Sequence, residues 1–183
     1  YSVPFADKRD EKPRPVVVIS PPNSKGHIAV IPGTSQYHSW DEKWLCLVSP
    51  EDIEGSILKD KTVFPVSKQV LISPKFFKKK LGRLTSEKMT ELLKKIVLRQ
   101  TEIYYKSIHL PAQTQPFDPE KSRVLYAGRV FDENEMVKLV DSALDFWLTE
   151  GRYSEEFSEK IADFLDVENV FLTNSGSSSN LLA

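Results

Sequence analysis

Hydrophobic residues follow two different periods along the chain. In residues 1–75 they form short runs, rich in β-branched side chains, that end at proline, glycine or polar turn residues. Runs of this kind predict strands. Five such runs are found, at residues 15–20, 26–33, 44–48, 61–66 and 69–72. Closely spaced strands separated by turns are typical of a small barrel or sandwich.

The pattern then takes on the period of a helix. Five apolar side chains recur at i, i+3, i+4, i+7 and i+8: Met89, Leu92, Leu93, Ile96 and Val97. Lysine and glutamate occupy the other face, so the stretch predicts an amphipathic helix, which Gly82 precedes and Thr85 or Ser86 caps. We extend this element to residue 106. Residues 107–121 contain prolines without periodicity and are predicted to be a linker.

The last third of the chain predicts an α/β segment. Asp132 and Glu135 have the spacing of a capping box, which begins a helix. Its apolar face consists of Met136, Leu139, Val140, Ala143, Leu144 and Trp147. Gly151 ends this helix and Ser154 caps a second one. The second apolar face consists of Phe157, Ile161, Phe164 and Leu165. Residues 170–173 predict a strand that runs into a serine-rich turn and the start of a third helix.

Composition limits the class of protein. Of the 183 residues, 40% are hydrophobic and 28% are charged, which is typical of a folded chain. No stretch approaches the length of an apolar membrane span, and the first residues lack the pattern of a secretory signal. Cys46 is the only cysteine, so no disulfide can form within the chain and a cysteine-based metal site is not expected. We therefore expect a cytoplasmic protein that does not bind a membrane.

The two halves of the chain carry opposite charge. Residues 1–110 contain 19 Lys and Arg against 12 Asp and Glu, whereas residues 111–183 contain 6 against 14. The basic half is suited to a polyanion such as nucleic acid. A solvated lysine-rich surface would give the same count, so charge alone does not decide between them.

Five short motifs follow one another in the basic half. They read VPF, KPRPVVVIS, IPGTSQ, GSILKDKTV and LGRLTSE, at residues 3–5, 12–20, 31–36, 55–63 and 81–87. Each is weakly specific, but their order and spacing together resemble those of the MazF/PemK-like toxins. The resemblance covers residues 1–97.

This resemblance implies a small SH3-like β-barrel with a C-terminal helix, which forms a homodimer, binds an antitoxin peptide and cleaves single-stranded RNA without metal or cofactor. Such cleavage needs a base for the 2′-OH, a cation beside the phosphorane and an acid for the 5′-oxygen. By motif, Arg14 is catalytic: its planar guanidinium holds the phosphate, and it is a candidate for the acid. Thr34, also catalytic, orients the phosphate, and Ser35 and Gln36 bind RNA.

Other interpretations are open from the residues alone. Arg14 could be a solvated residue at the start of a strand, and Thr34 with Ser35 could be turn formers. Residues 69–73 contain neither Arg nor Asp, which favours a non-catalytic module that binds a peptide.

Two further features of the basic half have a functional and a structural interpretation. His27 and His38 are candidate bases, although a lone histidine near a turn is usually a surface residue. Residues 75–80 interleave lysines with Phe76 and Phe77, a pattern that suits single-stranded nucleic acid. The same phenylalanines could instead belong to the core.

The acidic third contains three longer motifs, at residues 122–132, 140–153 and 173–183. They resemble the DegT/DnrJ/EryC1/StrS sugar aminotransferases, and most of all the CDP-4-dehydro-6-deoxyglucose 3-dehydratases. The resemblance implies a PLP-dependent nucleotide-sugar enzyme of deoxysugar and lipopolysaccharide biosynthesis. Gly176 and Ser177 would bind the PLP phosphate at a helix N-terminus. Only a full-length domain would bind PLP, so this segment is expected to be inactive by itself.

Together these patterns predict an α+β chain in three parts. Residues 1–106 form the SH3-like β-barrel and its helix, and residues 107–121 form the linker. Residues 122–183 form a truncated α/β segment with two helices, one strand and the start of a third helix. The predicted function is that of an endoribonuclease toxin, with an inactive sugar-enzyme fragment or a non-catalytic binding module as alternatives.

Overall fold

The structure, a computed structural model, describes residues 1–4, 13–38, 40–124, 127–128 and 130–183. The chain divides into two compact units, Tyr1–Val137 and Lys138–Ala183. Some residues of the sequence motifs lie outside the described residues: Phe5, Lys12, Leu125, Tyr126 and Arg129. No described helix combines the length and apolar character needed to cross a membrane.

The described strands of the first unit form three antiparallel sheets. The strands are β1 (Ser2–Pro4), β2 (Pro13–Val18), β3 (Ile28–Pro32), β4 (Leu45–Val48), β5 (Ile53–Glu54), β6 (Thr62–Pro65), β7 (Val70–Ile72) and β8 (Arg83–Leu84). The largest sheet has the order β1-β2-β3-β7, while β4 pairs with β6 and β5 pairs with β8. Single bridges link Thr34 to Val63 and Ser2 to Lys79. The mixed α and β class is therefore confirmed, but the described strands do not close into one barrel.

The helices of the chain vary widely in length. They are α1 (Ser86–Tyr104), a π-helix (Tyr105–His109), α2 (Leu110–Gln113), α3 (Glu133–Leu144), α4 (Arg152–Leu165) and α5 (Gly176–Leu182). The five predicted strands correspond to β2, β3, β4, β6 and β7, and the predicted amphipathic helix corresponds to α1.

The four-stranded sheet buries both of its faces. Val17 and Ile31, which pair across β2 and β3, belong to the main core, whereas Val16 and Val30 belong to a smaller cluster on the other face. The main core also contains Trp44, Cys46, Val48, Phe64, Val66 and Leu92. Burial on both faces explains why the strand at residues 15–20 reads as a continuous apolar run rather than as an alternation.

Helix α1 covers the main core with a narrow face. Thr85 caps it, because the Thr85 hydroxyl accepts a hydrogen bond from the Lys88 N–H at 3.3 Å. Leu92 is fully buried, but Leu93 and Val97 are 42% and 40% exposed. The apolar stripe predicted from the sequence is therefore wider than the face of α1 that packs against the main core.

Charged side chains of α1 contact β4 around Cys46. Lys95 donates to the Leu45 carbonyl at 2.7 Å, and the Cys46 thiol lies 3.9 Å from Glu91 Oε1. Burial raises the pKa of the Cys46 thiol to about 11, so the thiol is uncharged at neutral pH. Burial also opposes the charge on Glu91, but hydrogen bonds from Lys88 and Lys95 lower the pKa of Glu91 overall. This cluster stabilises the helix against the sheet.

The helical region extends beyond its predicted end, so residues 107–113 of the expected linker are helical. Tyr105 is buried, and its hydroxyl donates to Gln113 Oε1 at 2.6 Å and lies 3.2 Å from the Phe131 carbonyl. Glu102 is also buried and pairs with Arg99 and Lys106. These contacts hold a segment that the prolines alone would predict to be irregular.

The second unit contains the end of α3 together with α4 and α5. Helix α3 begins at the predicted capping box, with the Asp132 N–H donating to Glu135 at 2.7 Å. It ends at Leu144, well before Gly151, because Phe146 adopts a left-handed φ of 51°. Trp147, predicted on the helix face, lies beyond this end.

Two other predictions in the acidic third are wrong. Helix α4 is capped by Gly151 rather than Ser154, and Arg152 in its first turn pairs with Asp141 at 2.8 Å and Asp145 at 2.6 Å. Residues 170–173 do not form a strand. A strand needs a partner for its backbone groups, and the described residues supply none there.

Candidate active site

The candidate site lies where the four-stranded sheet meets the β4–β6 sheet. The Gly33 N–H continues the β2–β3 ladder by donating to the Pro15 carbonyl at 2.8 Å. The Thr34 N–H then donates to the Val63 carbonyl at 2.9 Å, and the Val63 N–H returns to the Thr34 carbonyl at 3.4 Å. We call this Thr34–Val63 junction the seam, because it brings residues of β2, β3 and β6 together.

Gly33 makes the close approach at the seam possible. A Cβ atom at this position would lie 2.5 Å from Thr62 Cγ2 and 3.1 Å from both the Phe64 and Pro15 side chains. Side chains larger than hydrogen therefore force the strands apart at this point.

A tight turn after Gly33 presents polar groups. The Thr34 hydroxyl accepts a hydrogen bond from the Gln36 N–H at 3.0 Å and lies 3.2 Å from the Gln36 carbonyl. Thr34 is half-buried, while Ser35 and Gln36 are exposed. The turn-former interpretation of Thr34 is thus correct for its backbone contacts, and it leaves the neighbouring side chains accessible to a ligand.

The predicted site residues of the basic half line a groove of about 450 Å³. It is lined by Pro13, Arg14, Pro15, Gly33, Thr34, Ser35, Gln36, Asp60, Lys61 and Thr62. Arg14 comes from β2, opposite Val3, and reaches the groove from the side facing the Thr34 turn. The four residues to which the motifs assigned a role in catalysis or RNA binding, Arg14, Thr34, Ser35 and Gln36, all line this one groove.

The charged groups of the groove are available to a ligand. Arg14 is half-buried, and Asp60 and Lys61 are exposed. Within the part of the chain that the structure describes, none of these three side chains forms an ion pair. Two cationic side chains and one carboxylate therefore line the groove.

The sequence analysis did not single out Asp60, Lys61 and Thr62, which also line the groove. They belong to a motif that the sequence analysis noted, but nothing in the sequence shows that residue 63 pairs with residue 34. Long-range pairing of this kind is set by the tertiary fold and leaves no local signal.

The other predicted features of the basic half lie elsewhere. Neither His27 nor His38 lines the groove, and the His38 ring stacks on Tyr37 at 4.9 Å. Phe77 packs against the smaller core cluster, as the structural interpretation predicts. Phe76 is 46% exposed, with the Lys75 ammonium 5.2 Å from its ring.

A second cavity, of about 400 Å³, lies between β2 and the β5–β8 pair. Its walls are mainly apolar and include Val16, Val18, Phe64, Leu84 and Met89. Lys80 and Arg83 are its charged lining residues. It lacks the convergent hydroxyl, amide and carboxylate groups of the groove, so the groove is the better candidate for acid–base chemistry.

In the second unit, Gly176 and Ser177 occupy the first turn of α5. The Ser175 hydroxyl accepts from the Ser178 N–H at 3.2 Å and so caps the helix. Leu181 and Leu182, at its other end, are 87% and 75% exposed. The helix is short and open to solvent.

A protein-family model matches residues 1–98, which is more than half of the chain. Its description is "PemK-like, MazF-like toxin of type II toxin-antitoxin system". The chain belongs to this family. The match contains all of the residues that line the groove of this PemK/MazF-like toxin.

A solved structure also resembles this PemK/MazF-like toxin. It is the Mycobacterium tuberculosis toxin MazF-mt6, with 16% sequence identity and a TM-score of 0.39. The match covers 52% of this chain and 89% of that chain.

Two curated proteins are similar to the C-terminal part of the toxin chain. The lipopolysaccharide biosynthesis protein RfbH of Salmonella typhimurium is 42% identical over 69 residues, which is 38% of this chain. The dTDP-4-dehydro-2,6-dideoxy-D-glucose 3-dehydratase of Saccharopolyspora spinosa is 33% identical over 75 residues, or 41% of this chain. The chain spans 16% of the length of each of these relatives.

The α5 turn of the toxin chain does not fit PLP. It would offer a phosphate the Gly176 and Ser177 N–H groups and the Ser177 hydroxyl, but the described helix is exposed and has only seven residues. A bound cofactor needs a concave site that excludes water and holds its ring as well as its phosphate. Gly176 and Ser177, the two residues predicted to bind the cofactor phosphate, line none of the cavities found among the described residues.

Proposed function

We propose that this PemK/MazF-like toxin is an endoribonuclease that cleaves single-stranded RNA in the groove at the seam. The observation that carries the proposal is the convergence of Arg14, Thr34, Ser35 and Gln36 on one groove. Membership of the toxin family supports it independently of the geometry. The interpretation of Arg14 as an isolated surface residue fits less well, because its side chain is half-buried beside the Thr34 turn.

The chemistry is transesterification by the 2′-OH. The O2′–P bond forms and the P–O5′ bond breaks, which leaves a 2′,3′-cyclic phosphate and a 5′-hydroxyl. The Arg14 guanidinium binds the non-bridging oxygens, where negative charge builds up. The Thr34 hydroxyl turns from the Gln36 carbonyl towards the phosphate, and Ser35 and Gln36 hold the adjoining nucleotides. No metal or cofactor takes part in this scheme.

The same proposal includes the partners of the toxin. The toxin acts as a homodimer in the cytoplasm, and a peptide segment of an antitoxin covers the groove to prevent RNA cleavage. The domain limits are those predicted from the sequence, with residues 1–106 as the toxin domain, 107–121 as the linker and 122–183 as the sugar-enzyme segment. The SH3-like barrel is the form we propose for the complete domain.

The decisive experiment is cleavage of a mixed-sequence single-stranded RNA in EDTA by the wild-type chain and by Arg14→Ala. Removing one group that stabilises charge in the transition state lowers the rate by about 10²–10³-fold. Arg83→Ala, at an exposed arginine outside the groove, is the matched control and should cleave normally. Mass spectrometry of the products should find cyclic phosphates.

Two outcomes would overturn the proposal. Equal cleavage by wild type and Arg14→Ala would assign the activity to another site. Absence of cleavage by the wild-type chain, together with tight binding of an antitoxin peptide, would support the non-catalytic binding module instead.

We infer a second role for residues 122–183, as the beginning of a PLP-dependent nucleotide-sugar dehydratase or aminotransferase fold. The match to RfbH supports this inference. Because the described α5 turn does not form a cofactor site, we assign no sugar chemistry to this chain by itself. The complementary test is PLP binding by the whole chain.

A further inference from the structure

The groove contains an acid–base pair that the sequence motifs did not identify. Asp60 and Lys61 both line it, next to Arg14 and the Thr34 turn. Among the described residues that line the groove, Asp60 is the only carboxylate and Lys61 is the only ammonium group. Both are exposed to the groove's solvent.

Their backbone is held in place by the seam. Asp60 and Lys61 directly precede β6, and Val63 in that strand pairs with Thr34. Thr62 Oγ1 lies 3.4 Å from the Asp60 carbonyl, and the Thr62 methyl group packs over Gly33. The segment that carries the pair therefore has a fixed position relative to the proposed phosphate site.

We propose that Asp60 is the general base and Lys61 the general acid of RNA cleavage. The inference rests on the proposed function. The Asp60 carboxylate takes the proton of the 2′-OH as O2′ attacks phosphorus. The Lys61 ammonium gives a proton to O5′ as the P–O5′ bond breaks. Solvent then removes the proton from Asp60 and returns one to Lys61, so charge and protons balance.

The neighbouring groups suit this division of roles. Among the described residues that line the groove, Arg14 on β2 is the charged residue that another element contributes, and Thr34, Ser35 and Gln36 are uncharged. Lys59 precedes the pair but does not line the groove. Arginine keeps its proton at all ordinary pH values, so Arg14 can bind the phosphate but is a poor acid. Lysine has the more easily released proton.

The test compares single-turnover cleavage and RNA affinity for wild type, Asp60→Asn and Lys61→Arg. Loss of a general base or acid lowers the rate by about 10²-fold or more. RNA affinity should stay within about threefold, because Asp60→Asn removes no phosphate contact and Lys61→Arg retains its charge. Glu51→Gln and Lys59→Arg, which change exposed groups outside the groove, are the matched controls.

Two readouts separate catalysis from structure. The wild-type rate should fall at acid pH as the base becomes protonated, and this acid limb should be absent in Asp60→Asn. An RNA with sulfur in place of the 5′-oxygen has a leaving group that needs no proton. It should restore Lys61→Arg to the wild-type rate but leave Asp60→Asn slow.

The failures are distinguishable. If wild type cleaves in an Arg14-dependent manner while Asp60→Asn keeps both the rate and the acid limb, Asp60 is not the base and the proposed function stands. If the sulfur-containing RNA does not rescue Lys61→Arg, Lys61 is not the acid. If wild type does not cleave at all, the proposed function and the acid–base pair are both rejected. Thermal melting of each variant checks that the fold is unchanged.

Discussion

Gly33 shows how a single residue can determine the geometry of a site. Its hydrogen leaves room for Thr62, Phe64 and Pro15 to approach from two other strands. Gly33 itself and Thr34 after it are held by backbone hydrogen bonds to Pro15 and Val63. The position of the Thr34 turn relative to Arg14 therefore depends on the absence of a side chain.

Gly33→Ala should destabilise the protein by about 1–3 kcal/mol, because the added methyl group overlaps Thr62 Cγ2. The rate of RNA cleavage should fall by about 10²-fold, because a displacement of about 1 Å at a site lowers the rate by that factor. This loss is larger than the loss of stability alone would cause. Urea unfolding and cleavage kinetics measure the two effects. Gly176→Ala is the control, since nothing lies within 4 Å of its added methyl group. Equal melting of both variants would contradict the packing described at the seam.

The residue scale also shows what the sequence could predict about the site. Arg14, Thr34, Ser35 and Gln36 were found because they lie in motifs whose order is preserved along the chain. Asp60 and Lys61 were missed, because their proximity to Arg14 arises from the pairing of Val63 with Thr34. A local motif can identify a residue type, but only the fold brings distant residues together.

At the scale of elements, α1 illustrates the difference between a periodic stripe and a packed face. The apolar spacing predicted the helix and its cap correctly. It also placed Leu93 and Val97 on the covered face, although both are substantially exposed. A helix resting on a small curved sheet contacts it along a narrow line, so residues at the edge of the stripe stay partly in solvent.

Leu92→Ala should cost about 2–5 kcal/mol in the free energy of unfolding, because it leaves a cavity in the main core. Val97→Ala, at a partly exposed position on a different face of α1, should lower the free energy of unfolding by less than about 1 kcal/mol. Urea denaturation of the two variants provides the comparison. Similar losses for both would mean that α1 is rotated relative to the packing described here.

The remaining elements show where local patterns are insufficient. Strands β5 and β8 contain two residues each, too few to show a period. Residues 170–173 have strand composition but lack a partner among the described residues. The helical segment at residues 105–113 was missed because its stability comes from the buried Tyr105 and its contacts with Gln113 and Phe131. In each case the presence or absence of tertiary contacts determines the secondary structure more strongly than the local composition does.

At the scale of the whole molecule, two parts of one chain have different relatives. The family model covers the residues that line the groove, whereas the curated sugar-enzyme relatives match 69 or 75 residues. Motif order predicted both relationships, because long motifs with fixed spacing are specific even where each short piece is weak.

The whole chain should not bind PLP. The first turn of α5 offers two backbone N–H groups and one hydroxyl in an open position, which is too few contacts to hold the cofactor. Absorbance spectra of the dialysed protein after incubation with PLP should match those of buffer treated in the same way. A complete PLP-dependent dehydratase is the positive control. A retained cofactor band that disappears in Ser177→Asp would contradict this expectation.

The seam has a consequence for how the toxin can be silenced. Only two backbone hydrogen bonds join Thr34 to Val63, and each contributes about 0.5–1.5 kcal/mol, far less than the 5–15 kcal/mol typical of global unfolding. An extended peptide that covers the groove and competes for these two backbone positions would open the Thr34–Val63 contact without unfolding the main core, to which both sheets contribute side chains. Such inhibition would displace the Thr34 turn from Arg14 while the protein stays folded, and release of the peptide would restore the groove.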